Sequence, residues 1–194
     1  VESGDVVVVK GKTVVPEEKK VYLAFNKPRG IVCTAEKREK NNVIDYLSYP
    51  VRIYPVGRLD KDSEGLLLMT NDGAIVNGIM RARNRHEKEY QVEVNKEITP
   101  EFLKKMASGV PILDTVTRPC RTQKTGERSF TIILTQGLNR QIRRMCEALG
   151  YRVTKLKRVR IMNIHLKDLK TGEYRPLTEK ELAELKKQIG EEKR

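Results

Sequence analysis

The run GLLLMT at residues 65–70 limits the fold more than any other stretch of the chain. It opens on glycine, is closed by Asn71-Asp72-Gly73 and is too short for a buried helix, so it predicts a strand buried on both faces. A strand of that kind needs a sheet around it.

Short strands and tight turns fill much of the remaining sequence. Residues 1–15 are a valine-rich strand pattern broken at Gly4-Asp5 and Gly11-Lys12, and residues 16–20 read as a linker. Residues 21–26 form a strand that runs into the turn Lys27-Pro28-Arg29-Gly30, with residues 31–34 returning as its hairpin partner. Residues 90–94 alternate as a strand, and strands at 116–123 and 129–135 flank a turn at Lys124-Thr125-Gly126-Glu127. Residues 152–164 are extended, and another tight turn falls at Thr171-Gly172.

Helices are marked by their ends. Residues 41–47 make a helical turn, and residues 74–80 start a helix with Asp72 near its positive end. Thr99-Pro100 supplies an N-cap followed by proline at the first helical position, and Gly109 stops that helix. Residues 137–150 read as an amphipathic helix bounded by glycines. The last helix begins at Thr178 with Glu181 completing a capping box, and buries Leu182, Leu185 and Ile189. The pattern predicts an α+β domain on a mixed, largely antiparallel sheet. The βαβ alternation of a doubly wound fold is absent, as are GxGxxG and P-loop motifs.

With 194 residues and 38% hydrophobic content, the chain can build one core or two lobes sharing a cleft. No apolar stretch approaches the roughly 20 residues that span a bilayer, and nothing resembles a secretory signal. Cys33, Cys120 and Cys146 are isolated, as are His86 and His165, which disfavours a zinc site and fits a reducing cytoplasm. The chain opens on Val1 and reads as the continuation of something larger.

Its net charge is +13, a field that attracts polyanions. The clustering gives that field a direction. Arg140, Arg143 and Arg144 fall at i, i+3 and i+4 and share one helix face, with Ile142, Met145, Cys146 and Leu149 opposite. From residue 137 to 160 eight cations, including Arg152, Lys155, Lys157, Arg158 and Arg160, stand against the single acid Glu147, the footprint of phosphate contacts. Arg81, Arg83, Arg85, His86 and Lys88 form a second basic cluster before Tyr90. With no Trp, three Phe and seven Tyr, the chain is poorly equipped to hold single strands by stacking alone, but one Tyr suffices to hold one flipped base.

The Gly-bounded loop GRLDKDSEG at residues 57–65 brings three carboxylates and two cations to the entry of the buried strand. Spacing does not choose among Asp60, Asp62 and Glu64. Asp60 is nearest the rigid entry, while Asp62 and Glu64 resemble solvated turn residues.

Residues 57–73, GRLDKDSEGLLLMTNDG, closely resemble the signature of the RsuA/RluB/RluE/RluF branch of pseudouridine synthases. Lys27-Pro28-Arg29-Gly30 is similar to the family's opening K-P-x-G turn, Lys88-Glu89-Tyr90 to its K-x-Y element, and residues 136–150 to its G-x-N-R-Q-I-R-R-M element. The likeness covers residues 21–177, and NRHEKEY and GVPILDTVT look most like the RluF-type large-subunit rRNA enzymes. Residues 1–15 are similar to the last strands of an S4-like RNA-binding domain. The resemblance thus implies a remnant of that domain with a linker at 1–16 and a catalytic domain at 17–194, two lobes sharing one sheet with a basic active-site cleft.

By the same resemblance, Asp60 is the catalytic carboxylate, Tyr90 stacks on the target uracil and assists proton removal, and Arg143 pairs with Asp60. Arg58 fills the gap left by the flipped nucleotide, and Leu156 packs on the other uracil face. Arg140, Arg144, Lys157 and Arg158 are expected to grip RNA. The implied activity is isomerisation of uridine in structured RNA, with a large-subunit rRNA stem-loop or a tRNA as substrate and a monomeric enzyme. That reaction is redox-neutral and consumes no water, so neither cofactor nor metal is expected. The competing reading is a non-catalytic RNA- or ribosome-binding module using the same basic face.

Overall fold

The computed structural model describes residues 19–192 and, ahead of them, the paired backbone of 7–9 and 12–14. Strands β1 (Val7–Val9) and β2 (Lys12–Val14) pair antiparallel with Val7 opposite Val14. The expected turns at Gly4-Asp5 and Gly11-Lys12 and the linker at 16–20 fall wholly or partly outside the described residues.

The centre is a nine-stranded sheet. Its members are β3 (Tyr22–Lys27), β4 (Tyr54–Val56), β5 (Glu64–Thr70), β6 (Lys88–Val94), β9 (Arg121–Gly126), β10 (Ser129–Leu134), β11 (Val153–Ile161), β12 (Ile164–His165) and β13 (Tyr174–Pro176), while β7 (Pro111–Ile112) and β8 (Thr115–Val116) form a hairpin apart. The order across the sheet is β13-β3-β5-β11-β6-β10-β9, with β4 on β5 and β12 on β11. Every pairing is antiparallel except β5–β11, which is parallel and confined to Lys157–Glu64 and Arg158–Gly65. The mixed, largely antiparallel α+β sheet read from the sequence is the sheet that forms.

β5 is buried along residues 65–70, and alternation explains how. Leu66 and Leu68 join a core under α2 (Gly73–Ala82) and α5 (Glu179–Glu192), with Ile75, Ile79, Leu185 and Ile189. Leu67 and Met69 enter a second core with Phe25 and Val43 of α1 (Val43–Leu47). A third core lies beside these, where Val92, Phe130 and Leu156 meet Phe102 and Met106 of α3 (Pro100–Ser108) and Ile142 and Met145 of α4 (Gln141–Ala148).

The caps form as the residue types dictate. Asp72 accepts from the N–H groups of Ala74 and Ile75, Thr99 from that of Phe102, and Thr178 and Glu181 exchange both bonds of a capping box at 3.1 and 2.9 Å. Leu185 and Ile189 are buried, whereas Leu182 is only partly covered.

Three expectations are corrected. Residues 31–34 do not return beside β3, because β5 and β13 already occupy both of its edges; Val32 instead makes a lone parallel bridge to Asn42. The β9–β10 turn is Glu127-Arg128 rather than residues 124–127, and Val116 belongs to β8. Helix α4 starts at Gln141 rather than near Gly137, since Arg140 takes a left-handed conformation (φ 47°) that an α-helix cannot contain. No helix among the described residues is long and apolar enough to cross a membrane.

Candidate active site

Asp60 sits on the loop between β4 and β5, and that loop is fixed from beneath. Leu59 is buried, and its backbone N–H donates to Cys33 Sγ at 3.3 Å. Gly30 N–H donates to the Lys61 carbonyl at 2.7 Å, and Ser63 N–H to that of Asp60 at 3.0 Å. The turn carrying Gly30 is itself pinned by Lys27, which is fully buried and donates to the Pro28 and Ile31 carbonyls at 2.9 and 2.7 Å. Burial pushes the Lys27 ammonium down from its ordinary value, against the opposing fields of Cys33, Asp62, Asp60 and Glu64.

From above, the loop meets α4. Arg140 Nη1 lies 3.2 Å from Asp60 Oδ2, and the same guanidinium grips Asp62 through two bonds of 3.1 and 2.9 Å. The Arg140 bonds hold the Asp62 carboxyl at about 2, well below the usual carboxylate range, with Arg143 adding to the effect against a burial penalty. Arg143 was the expected partner of Asp60, but it is not the residue that touches it. Buried in the first turn of α4, Arg143 donates to the Asp62 carbonyl at 3.0 Å and to Ser63 Oγ at 3.2 Å, with Asp62 Oδ2 at 3.6 Å. The left-handed turn at Arg140 brings its side chain over the loop, whereas Arg143 reaches the loop's backbone.

Loop and helix form one wall of a cleft of about 440 Å³, which contains Asp60, Arg140, Tyr90, Leu156, Lys88 and Arg158. Tyr90 on β6 stands opposite Arg158 on β11. Arg58 is exposed at the rim and Leu156 is buried against the third core.

The other expected RNA contacts divide. Arg158 is 6% exposed and belongs to the cleft wall rather than the outer surface: its Nε donates to the Leu66 carbonyl at 2.8 Å and its Nη1 to that of Arg58 at 3.4 Å. Its backbone passes so near β5 that a Cβ on Gly65 would stand 2.2 Å from the Arg158 carbonyl oxygen. Lys157 lies between Leu156 and Arg158 on the strand and is directed to the opposite face, away from the cleft. Arg144 folds back on Asn139 through bonds of 3.0 and 2.8 Å and does not line the cleft. Arg160, counted among the phosphate cations, is paired with Glu87 and Glu89 at 3.1 and 3.2 Å.

Ser63 lines the cleft without any mark in the sequence, and Lys88, read there only as part of a basic cluster and of the K-x-Y element, lines it too. The signal for Lys88 was its period-2 relation to Tyr90, which sets both on one face of β6. Among the described residues no three His, Cys, Asp or Glu side chains gather as a metal site.

A carboxylate on a fixed loop and a guanidinium at the head of α4, facing a tyrosine across a cationic cleft on a mixed sheet, define a catalytic type of site suited to a polyanion. The sequence profile of the RNA pseudouridylate synthases matches residues 21–148, and the chain belongs to that family. It is 54% identical over 191 residues to the dual-specificity RNA pseudouridine synthase RluF of Salmonella typhi and 53% identical to that of Escherichia coli K12, in each case over 97% of this chain and 66% of the relative. The chain thus spans just under two thirds of those relatives' length. It is 36% identical over 194 residues to the ribosomal large subunit pseudouridine synthase B of Bacillus subtilis, over 96% of this chain and 79% of that one. Among solved structures, a crystal structure of a pseudouridylate synthase superposes with a TM-score of 0.79 at 30% identity, over 89% of this chain and 76% of that one.

Proposed function

We propose that this chain converts uridine to pseudouridine in structured RNA, with large-subunit ribosomal RNA as its substrate. The observation that carries the reading is Asp60, the carboxylate that lines the cleft with Arg140 3.2 Å away and Tyr90 on the same lining. In this reaction the bond from ribose C1′ to uracil N1 breaks, the base turns in place, and C1′ bonds to C5, whose hydrogen is lost while N1 gains one. Asp60 is the reacting carboxylate at C1′–N1, and Arg140, 3.2 Å away, orients it. Tyr90 packs on the uracil and Leu156 offers an apolar surface to its other side. Arg58, free at the rim, enters the space that the flipped nucleotide vacates.

The site works on a flipped base, so its specificity comes from the shape of a stem-loop more than from a linear sequence. Residues 1–16 are the end of an S4-like RNA-binding domain and 17–194 the catalytic domain, acting as a monomer in the cytoplasm. A tRNA stem-loop is the second RNA to test, since the two RluF relatives carry the words dual-specificity in their names.

The deciding experiment incubates the protein with ribosomal RNA and maps pseudouridine beside Asp60→Asn. Pseudouridine formed by the wild type and lost in the variant supports the enzyme. RNA binding with no pseudouridine on any RNA replaces it with a non-catalytic binding module.

A further inference from the structure

The cleft holds two cations that no acid answers. Along β6 the side chains alternate, and the two acids flanking Lys88 are engaged on the far face: Glu87 by Arg160 and Arg121 at 3.1 and 2.7 Å, Glu89 by Arg160 at 3.2 Å. Lys88 and Tyr90 face the cleft, where Tyr90 is opposite Arg158 and Lys88 is opposite Ile161. Neither Lys88 nor Arg158 makes an ion pair among the described residues. The Lys88 ammonium donates once, to the Arg83 carbonyl at 2.7 Å, leaving two of its three N–H groups unused. Arg158 spends Nε and Nη1 on carbonyls, leaving Nη2 without a bond.

Two neighbouring cations withdrawn from water repel each other and lose hydration, an arrangement that an anion in the cleft would relieve. Burial pushes the Lys88 ammonium down to about 8, and Arg158 and then Arg83 add to the effect. The anion a nucleic acid brings is the phosphodiester, and a nucleotide whose base lies beside Tyr90 carries its own phosphates into the same cleft. A guanidinium edge and an ammonium suit that group.

We propose that Lys88 and Arg158 form a phosphate subsite that holds one of the two phosphodiesters flanking the target uridine. The inference rests on the proposed pseudouridine synthase reading. It makes Lys88 a binding residue of the reacting nucleotide, beyond its contact with the C-terminal end of α2 at Arg83.

The test uses a stem-loop that the wild type converts, carrying a neutral methylphosphonate either 5′ or 3′ to the target uridine. In the wild type one of these substitutions should lower kcat/KM about tenfold or more, the effect of losing a charge-assisted bond. Lys88→Gln should show a similar loss on ordinary RNA, no further loss on that methylphosphonate, and recovery in Lys88→Arg. Wild-type indifference to both methylphosphonates, or losses that multiply in Lys88→Gln, would overturn the subsite.

A second measurement does not depend on turnover. The Lys88 signal in 13C-lysine NMR is titrated with uridine 3′,5′-bisphosphate beside uridine. Its pKa should rise with the bisphosphate alone, and an unmoved Lys88 overturns the subsite even where no pseudouridine is made.

Discussion

Arg140, the left-handed residue that precedes helix α4, bridges Asp60 at 3.2 Å and Asp62 at 2.9 Å, while Arg143 one turn further on holds the backbone beneath them. The two arginines therefore separate in what their loss does. Arg140→Ala removes a half-exposed pair and should change stability by only about 0–1 kcal/mol, while turnover falls because Asp60 loses its cation. Arg143→Ala removes buried bonds to the Asp62 carbonyl and Ser63 Oγ and should cost roughly 1–3 kcal/mol. Denaturant midpoints and single-turnover rates on one RNA check both; an unchanged midpoint in Arg143→Ala would contradict its assignment.

Asp60→Asn keeps the shape of the side chain and removes its charge. Turnover should be abolished with RNA affinity largely kept, measured by pseudouridine mapping and by titration of labelled RNA. Loss of both together would point to a structural role for the loop.

Salt dependence should distinguish cations that sequence spacing treats alike. Arg144 stands beside the cleft on α4, and Arg144→Ala should reduce the salt slope of RNA binding by about 1 if it meets a phosphate. Lys157 faces away from the cleft, so Lys157→Ala should leave the slope unchanged. Equal effects would mean that RNA also covers the far side of β11.

Gly65→Ala tests how closely β5 and β11 approach. The added Cβ would lie 2.2 Å from the Arg158 carbonyl, at a φ of 107° that side chains rarely adopt. Overpacking and backbone strain together should lower stability by roughly 2–5 kcal/mol, read from guanidinium unfolding.

The acid limb of stability has an identifiable contributor in Glu181. Its two oxygens accept from Arg175 at 2.8 and 3.0 Å, and those bonds hold its pKa at about 2 against an ordinary 4.5. A depressed carboxylate favours the native state above its unfolded pKa, so this contribution is complete above pH 4.5 and is lost as the pH falls toward 2. Glu181→Gln should be less stable at neutral pH and flatten that limb in urea unfolding. Lys88 acts with the opposite sign: its depressed ammonium opposes folding when charged, and its contribution improves as the pH rises from about 8 through 10.5.

Local chemistry made some elements legible. β5 was readable because six consecutive residues bury both faces, and α5 because Thr178 and Glu181 announce a capping box. β4 was not, since three residues with proline in the middle carry no period. Residues 31–34 failed for a non-local reason: β13, some 150 residues downstream in the register Tyr174–Phe25, had taken the edge. At the site, the loop that bears Asp60 and the helix that bears its arginines were both visible. Which arginine reaches the carboxylate was not, because it depends on the left-handed φ of Arg140, and arginine gives no signal for that conformation. Arg158 likewise looked like one cation among eight, and only the alternation of β11 against β6 turns it inward.

β11 pairs with β5 along one edge and with β6 along the other, so the Asp60 side and the Tyr90 side of the cleft belong to one hydrogen-bonded sheet. The two sides cannot swing apart on a hinge without breaking those ladders. If the proposed reaction takes place there, adaptation in the complex falls on the RNA. A stem that unstacks easily should be favoured over a stiffer one of similar sequence, and discrimination between RNAs would reside in the energy needed to deform them rather than in any closing motion of the protein.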